Sequence, residues 1–311
     1  MQADVIVIGS LNMDLVITTQ RAPEAGETLS GTDFHTIPGG KGANQAVAAA
    51  KLGCTVALIG RVGSDAFGEK LLETLSNSGV NISNISRDAE ASTGIAIITV
   101  EADGQNRILL VPGANGKITP FDVDVIENLI AGAKLLIMQM EIPLNSVHQA
   151  LDLANFHHVP VLLNLSPARC LSDDMFQKVK YLVVNETEAS SLTGLSVVDI
   201  RTAESAAGLL LEKGTNTVII TLGDQGAVCA SGEGSFTSPA YLVKSVDSTA
   251  AGDAFIGGYA SAVLEGKHEW ECIQYANAVG ALTTTKLGAQ ISLPTKVELL
   301  EFLENAHIRQ E

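Results

Sequence analysis

Basic residues are scarce in this chain. Nineteen Lys and Arg stand against thirty-five Asp and Glu, a formal net charge of −16. Nucleic-acid binding rests on cations that neutralise phosphates, so so acidic a chain speaks against a DNA or RNA partner. A small anion remains admissible, because a local pocket can be positive on an acidic protein. Aromatic side chains are also few, 4% with the single Trp270, which leaves no platform for stacking bases. The four cysteines (Cys54, Cys170, Cys229 and Cys272) lie far apart and form no C-x-x-C. That excludes a zinc ribbon or a disulfide frame and predicts reduced core residues of a cytosolic protein. No apolar run approaches the ~18 residues of a membrane span. The first apolar run, "VIVI", is strand-length and follows no basic n-region, so a signal peptide is not expected and a cytoplasmic location is. Two nucleotide fingerprints are missing as well. G-x-x-x-x-G-K-[ST] does not occur, and Gly40-Lys41-Gly42 and Gly232-Glu233-Gly234 both lack the third glycine of G-x-G-x-x-G. A P-loop ATPase and a nicotinamide dehydrogenase thereby lose their main support. Among the six His, none reads as half of a ligand pair with a carboxylate at helical spacing, and none is assigned to catalysis.

What the chain does have is apolar mass. At 46% apolar and 17% charged, its 311 residues can build a large core; disorder is excluded. Length alone would allow about two domains, although α/β chains of this size often form one. Short β-rich runs recur, beginning at Val5, Thr55, Leu135, Val159, Tyr181 and Thr217. Several are apolar throughout, as strands covered on both faces are. Helical segments lie between them, at residues 42–52, 66–78, 120–131, 144–157 and 201–213, and after residue 250 the chain reads as nearly all helix. This alternation predicts an α/β fold: a three-layer αβα core with a mainly parallel sheet, in one domain over residues 1–311. Two regions break the pattern. Residues 15–37 and 93–111 carry strands without helices, the second a hairpin around Asp103-Gly104. They predict a small separate sheet, serving as a lid over a ligand site, as a dimer contact, or as a mere extension of the core sheet.

Polar residues cluster where strands of such a sheet end, the usual place for a ligand. "GSLNMDL" leaves the first strand with Asn12 and Asp14 on one face, suited to a polyol, although an Asx-turn leaving the strand is the better reading of these residues alone. "PGGKGANQA", from Pro38, is a glycine turn opening a small-residue helix. Gly40 and Gly42 leave amides bare, and Lys41 and Asn44 offer donors. Glu141 follows a buried strand. In "NETE", Asn185 and Glu188 have the spacing of a capping box, and a carboxylate there could also hold magnesium through waters. "TLGDQG", Thr221 through Leu222, Gly223, Asp224 and Gln225 to Gly226, is a turn that could follow a phosphate chain. "DSTAAGDAFIGGYASAV", from Asp247, sets Asp253 at the mouth of an apolar helix whose Gly257 and Gly258 permit close packing. A carboxylate there is either a cap or a reactive group.

Taken in order, GSLNMD, PGGKGAN, Glu141, NETE, TLGDQG and AAGD resemble the ribokinase family of ATP-dependent sugar and nucleoside kinases, over essentially the whole chain. The resemblance implies transfer of the γ-phosphoryl group of ATP to O5 of D-ribose. A kinase of another pentose, a deoxysugar or a nucleoside is the alternative. It makes Asp253 the base and gives the amides of Ala250, Ala251 and Gly252 the role of anion hole. Asn12, Asp14, Gly40, Lys41, Gly42, Asn44 and Glu141 match sugar positions. Asn185, residues Thr221 to Gly226, Gly252 and Asn277 match nucleotide positions, with Glu188 organising Mg2+. A K+ site is implied at Asp247, Thr249, Thr283, Lys286, Gly288 and Ser292, and a homodimer through the lid. The family's D-T-x-G-A-G-D reads Asp247-Ser248-Thr249-Ala250-Ala251-Gly252-Asp253 here, with both carboxylates kept. "NLSP" from Asn164 replaces N-P-A, and Asn277 stands where some members have His.

Overall fold

A computed structural model describes residues 3–102 and 105–306 of the chain. From the N-terminus it runs β1 (Val5–Ile8), β2 (Asn12–Thr19), β3 (Asp33–Gly39), α1 (Lys41–Lys51), β4 (Val56–Gly63), α2 (Ala66–Asn77) and β5 (Asn81–Asp88). Next come β6 (Gly94–Glu101), β7 (Asn106–Val111), α3 (Pro120–Asp124), α4 (Glu127–Ala131), β8 (Leu135–Met138), α5 (Leu144–Phe156) and β9 (Val161–Asn164). Then follow α6 (Asp173–Gln177), β10 (Tyr181–Asn185), α7 (Glu186–Thr193), α8 (Ile200–Leu211), β11 (Thr217–Thr221), β12 (Ala227–Ser231) and β13 (Gly234–Ser238). The last three helices are α9 (Ala251–Leu264), α10 (Glu269–Thr283) and α11 (Lys296–Asn305).

The large sheet has the order β13-β12-β11-β10-β9-β8-β1-β4-β5. From β11 to β5 every neighbouring pair is parallel; the two antiparallel pairs, β11 with β12 and β12 with β13, lie at one edge, so β12 alone is reversed. Each apolar strand feeds two cores because successive side chains point to opposite faces. Val5 and Val7 of β1 pack with α1, α2, α9, α10 and α11, whereas Ile6 and Ile8 pack with α3 to α8. The three-layer core expected from the sequence is therefore present. The segment read as one helix over 120–131 is two short ones, parted at Val125 and Ile126. Strand β5, "NISNISRD", has too few apolar residues to announce itself, and it lies at the sheet edge.

The small sheet forms too, in the order β3-β2-β6-β7. Its outer pairs are antiparallel and its central pair, β2 with β6, is parallel. The expected turn at Asp103-Gly104 lies outside the described residues, but Val100 pairs with Asn106 on either side of it. Residues 27–32, read with the second lid strand, are not strand. Asn12 and Asp14, read as the exit of β1, belong instead to β2 of the small sheet.

Glycine brings α9 close to its neighbours. A Cβ on Gly257 would stand 2.4 Å from that of Ala48 in α1, and one on Gly258 would stand 2.8 Å from Cγ2 of Val279 in α10. Both contacts are shorter than packed atoms tolerate. This close approach lets side chains of α1 reach the first turn of α9. Of the cysteines, all are free; Cys229 and Cys272 are buried as expected, but Cys170 is exposed.

Candidate active site

The first turn of α9 is built unlike an ordinary helix start. Its N-cap is Ala250, held in the left-handed region at φ 61°, and no side chain caps the helix. Asp253 is 8% exposed and caps nothing. Instead its Oδ2 accepts from Nδ2 of Asn44 at 2.9 Å and its Oδ1 accepts from Nε2 of Gln45 at 2.9 Å. Ala251 N–H is spent on the carbonyl of Ser248 at 3.2 Å, so it is not a bare amide as the sequence suggested. The amides of Ala250, Gly252 and Asp253 have no protein partner among the described residues. Bare amides at a helix N-terminus favour an anion. A cavity of about 220 Å³ opens here, lined by Ala250, Ala251, Gly252 and Asp253 together with Lys41, Asn185, Glu188 and Thr221.

Of the polyol candidates Lys41 and Asp253 line the cavity, and Asn12, Asp14, Asn44 and Glu141 connect to these two by hydrogen bonds and charge. Oε2 of Glu141 accepts from Oγ of Ser10 at 2.5 Å, from Nδ2 of Asn12 at 3.4 Å and from the Lys41 amide at 3.4 Å. Asn12 in turn accepts from Nδ2 of Asn115 at 2.8 Å. Glu141 thus ties β1, β2 and α1 together at the carboxyl end of the sheet. Gly40, at φ 91°, makes the turn into α1, and a Cβ there would stand 2.6 Å from the Asn12 amide. A Cβ on the preceding Gly39 would meet the Asp14 carboxylate at 2.2 Å. Burial, reinforced by the charges of Glu141 and Asp253, pushes the Asp14 carboxyl up to about 7, while Lys41 opposes the rise. Burial works against the Lys41 ammonium, yet Asp253, Glu141, Glu188 and Asp14 outweigh it and hold its pKa above the ordinary lysine value. One cation among four carboxylates stays charged, as a site for a phosphoryl group requires. Asn44 is 5% exposed, and its Oδ1 is buried with no partner among the described residues.

The same cavity carries nucleotide candidates. Asn185 and Glu188 do form the capping box of α7. Oδ1 of Asn185 accepts from the Glu188 amide at 2.8 Å, and Oε2 of Glu188 accepts from the Asn185 amide at 2.9 Å. Both side chains nevertheless line the cavity, and Oε1 of Glu188 has no hydrogen-bond partner among the described residues. A carboxylate oxygen facing a phosphate-sized space fits magnesium, which is commonly held by one or two carboxylates and its own waters. Thr221 ends β11, and Gly223 to Gln225 form one tight turn, with Gly223 at φ 55° and Gly226 at φ 97°. Within this turn Leu222 is buried, and its amide donates to the carbonyl of Gly226 at 2.8 Å. Asp224 is exposed beside it. Asn277 is set back from the cavity wall, its Nδ2 donating to the carbonyl and Oγ of Ser238, both at 3.1 Å.

Behind the α9 turn, Asp247 joins two loops. Oδ1 accepts from the amide and Oγ1 of Thr249 at 2.9 and 2.6 Å, and Oδ2 accepts from the Gly288 amide at 2.8 Å. Thr283 and Ser292 are buried and turn their hydroxyls onto local carbonyls, whereas the Lys286 ammonium reaches outward to Glu298 at 2.6 Å.

Sequence reading passed over Gln45, Asn164, Ser166 and Ser248. Gln45 was the most legible of these, a second amide after Asn44 in a helix otherwise made of Ala and Val. It also missed that His148 and Asp152 share helical spacing. His148 lies 3.8 Å from Asp152 and 3.6 Å from Asp174. Lys178 already bonds both carboxylates, at 2.6 and 2.5 Å, so the group is an ion-pair network on the surface.

The chain is similar to known proteins over nearly its whole length. The profile of pfkB family carbohydrate kinases matches residues 2–296. A ribokinase of Haemophilus influenzae is 41% identical over 98% of this chain and 100% of its own. A ribokinase of Schizosaccharomyces pombe is 43% identical over 95% of this chain and 96% of its own. Among solved structures, Arabidopsis thaliana ribokinase complexed with ribose and ATP superposes with a TM-score of 0.91 at 31% identity, covering 98% of this chain and 99% of its own. With its family profile, its relatives and its fold in agreement, the chain belongs to the pfkB family of carbohydrate kinases.

Proposed function

We propose that this protein phosphorylates D-ribose at O5 with Mg-ATP, giving ribose 5-phosphate and ADP. The observation that carries this reading is the state of Asp253. Its carboxylate sits beside bare helix amides, caps nothing, and is turned toward the cavity by two amide donors from α1. Phosphoryl transfer needs mainly alignment and charge stabilisation. Asp253 accepts the proton of the O5 hydroxyl as that oxygen attacks the γ-phosphorus, and the bond to the β-phosphate oxygen breaks. The amides of Gly252 and Asp253, with Ala250 beside them, receive the charge of the transferred group. Lys41 adds the positive charge that its four carboxylate neighbours maintain. Asn12, Asp14, Gly40, Gly42, Asn44 and Glu141 position the sugar, and the unpartnered Oδ1 of Asn44 supplies an acceptor for a hydroxyl. Asn185, the turn from Thr221 to Gly226 and Asn277 border the nucleotide. Glu188 would hold magnesium through its waters, and that ion, when bound, neutralises phosphate charge.

The loop that Asp247 clamps to Gly288 would hold potassium through backbone carbonyls of Thr249, Thr283, Lys286, Gly288 and Ser292, and so stiffen the α9 turn. Turnover should then rise with potassium and not with a large organic cation at equal ionic strength. The small sheet closes over the sugar and pairs in a homodimer. Strand β7 is exposed along its whole length, with Ile108 at 60% and Leu109 at 65%. Among the described residues no helix is long and apolar enough to cross a membrane, and the reaction belongs in the cytoplasm, where ATP is abundant. The deciding experiment is a coupled assay of ADP release over pentoses, hexoses, deoxyribose and nucleosides. D-Ribose should give the highest kcat/KM, and a nucleoside that outcompetes it would overturn the substrate while leaving a kinase.

A further inference from the structure

Beneath Asp253 lies a chain of buried amides, Gln45, Asn164 and Gln139, in which Oε1 of Gln139 alone ends without a partner among the described residues. Gln45 is fully buried on α1. Its Nε2 has two hydrogens and two acceptors, Oδ1 of Asp253 at 2.9 Å and Oδ1 of Asn164 at 3.1 Å. The Asn164 amide cannot turn round, because its Nδ2 donates to the carbonyl of Val183 at 3.2 Å. Oε1 of Gln45 accepts from Nε2 of Gln139 at 2.6 Å. Gln139, also fully buried, immediately follows β8, and its own Oε1 rests against Gly9, where a Cβ would come within 2.0 Å. Reversing Gln139 would set two acceptors 2.6 Å apart. Reversing Gln45 would present an acceptor to each of two acceptors. Asp253 and Asn164, the latter at the end of β9, therefore decide which way the Gln45 amide faces, and Gln45 in turn decides how Gln139 faces.

We propose that Gln139 is a positioning residue, which acts through Gln45 to hold Oδ1 of Asp253 and leave the carboxylate aimed at the sugar. Gln139 does not line the cavity. Its influence runs through one hydrogen bond on Gln45. Without that donor the buried Oε1 of Gln45 has no partner, and the side chain is no longer fixed in place against the carboxylate that it holds. This inference rests on the reading of Asp253 as the base.

The test is a kinetic cycle on the full-length protein, with D-ribose and Mg-ATP as the probes. Gln139→Met removes the donor and keeps the volume, and kcat should fall about tenfold, with KM for ribose and the Kd of ADP changed less than about twofold. Gln45→Met should cost about 10²-fold, the scale of a small misplacement of a reacting group. The double variant should be no slower than Gln45→Met alone, since the chain is already cut. Gln139→Leu also removes the donor at similar volume, so its kcat should fall as far as that of the Met variant. It serves as the second reading should the Met variant not fold. Wild-type kcat in either folded variant, losses that multiply in the double variant, or a KM that rises in step with kcat loss each overturn the proposal. Asp253→Asn run alongside separates the two claims. If it keeps its turnover the base assignment is wrong, whereas if it is inactive and Gln139→Met is normal only the positioning role fails.

Discussion

Two helices start at the wall of the same cavity, and each has a carboxylate at its third position. At α7 the cap is Asn185, and Glu188 returns the hydrogen bond to form a closed box. At α9 the cap is Ala250, which has no side chain to offer, and Asp253 bonds instead to Asn44 and Gln45. The box of α7 satisfies the amides of Asn185 and Glu188 from within. An alanine cap leaves those of α9 for a ligand, and it detaches the third-position carboxylate from the backbone. The same residue class at the same helical position is thus structural first in one case and available for chemistry in the other. The residue three positions earlier makes the difference.

The largest expected break in this contrast is Asp253→Asn. Asparagine keeps the size of aspartate but cannot take a hydroxyl proton at neutral pH. Turnover should fall by about 10²–10⁴, with an unchanged melting temperature and retained ATP binding measured by calorimetry. A variant with more than about a tenth of normal turnover would mean that Asp253 is no base. Glu188→Gln is the matched change on α7. Glutamine also closes a capping box, so stability should hold, while the magnesium needed for half-maximal rate should rise about tenfold, on the scale of ligand-supporting groups.

Asp14 sharpens the comparison through pH. Its folded pKa is raised from 3.8 to about 7, so the empty site binds a proton that the unfolded chain has released. The ionised form therefore costs stability. That cost is fully present above about pH 7 and is relieved as pH falls from there toward 3.8. Sugar hydroxyls donating to Asp14 favour the carboxylate, so binding should expel a proton. Ribose affinity should be about tenfold weaker at pH 6 than at pH 8. Titration calorimetry in buffers of different ionisation enthalpy measures that proton directly, and no proton release at pH 6.5 would remove Asp14 from the sugar contacts.

The smallest effects separate the two caps themselves. Asn185→Ala should cost about 1 kcal/mol of stability through the lost cap. Ala250→Gly should do the opposite, stabilising by about 0.5–1 kcal/mol, because relief of a left-handed non-glycine residue exceeds the entropy that glycine adds. Chemical denaturation resolves both signs.

The sequence by itself determined the layers, because apolar strands of four or five residues alternating with helices can bury both faces in only a few ways. Strands such as "LLIM" and the small-residue run of α9 were legible for that reason, and polar β5 was not. The order of the glycine-rich and acidic motifs also carried the family, since each motif ends a strand or opens a helix at one edge of the sheet. Tertiary structure alone decided how those residues divide the work. Whether Asp253 caps or reacts depends on Asn44 and Gln45, more than two hundred positions away. Which way the Gln45 amide faces depends on Asp253 and Asn164. Hydrogen-bond direction is a property of partners brought together by folding, and neither the spacing nor the composition of the chain encodes it locally.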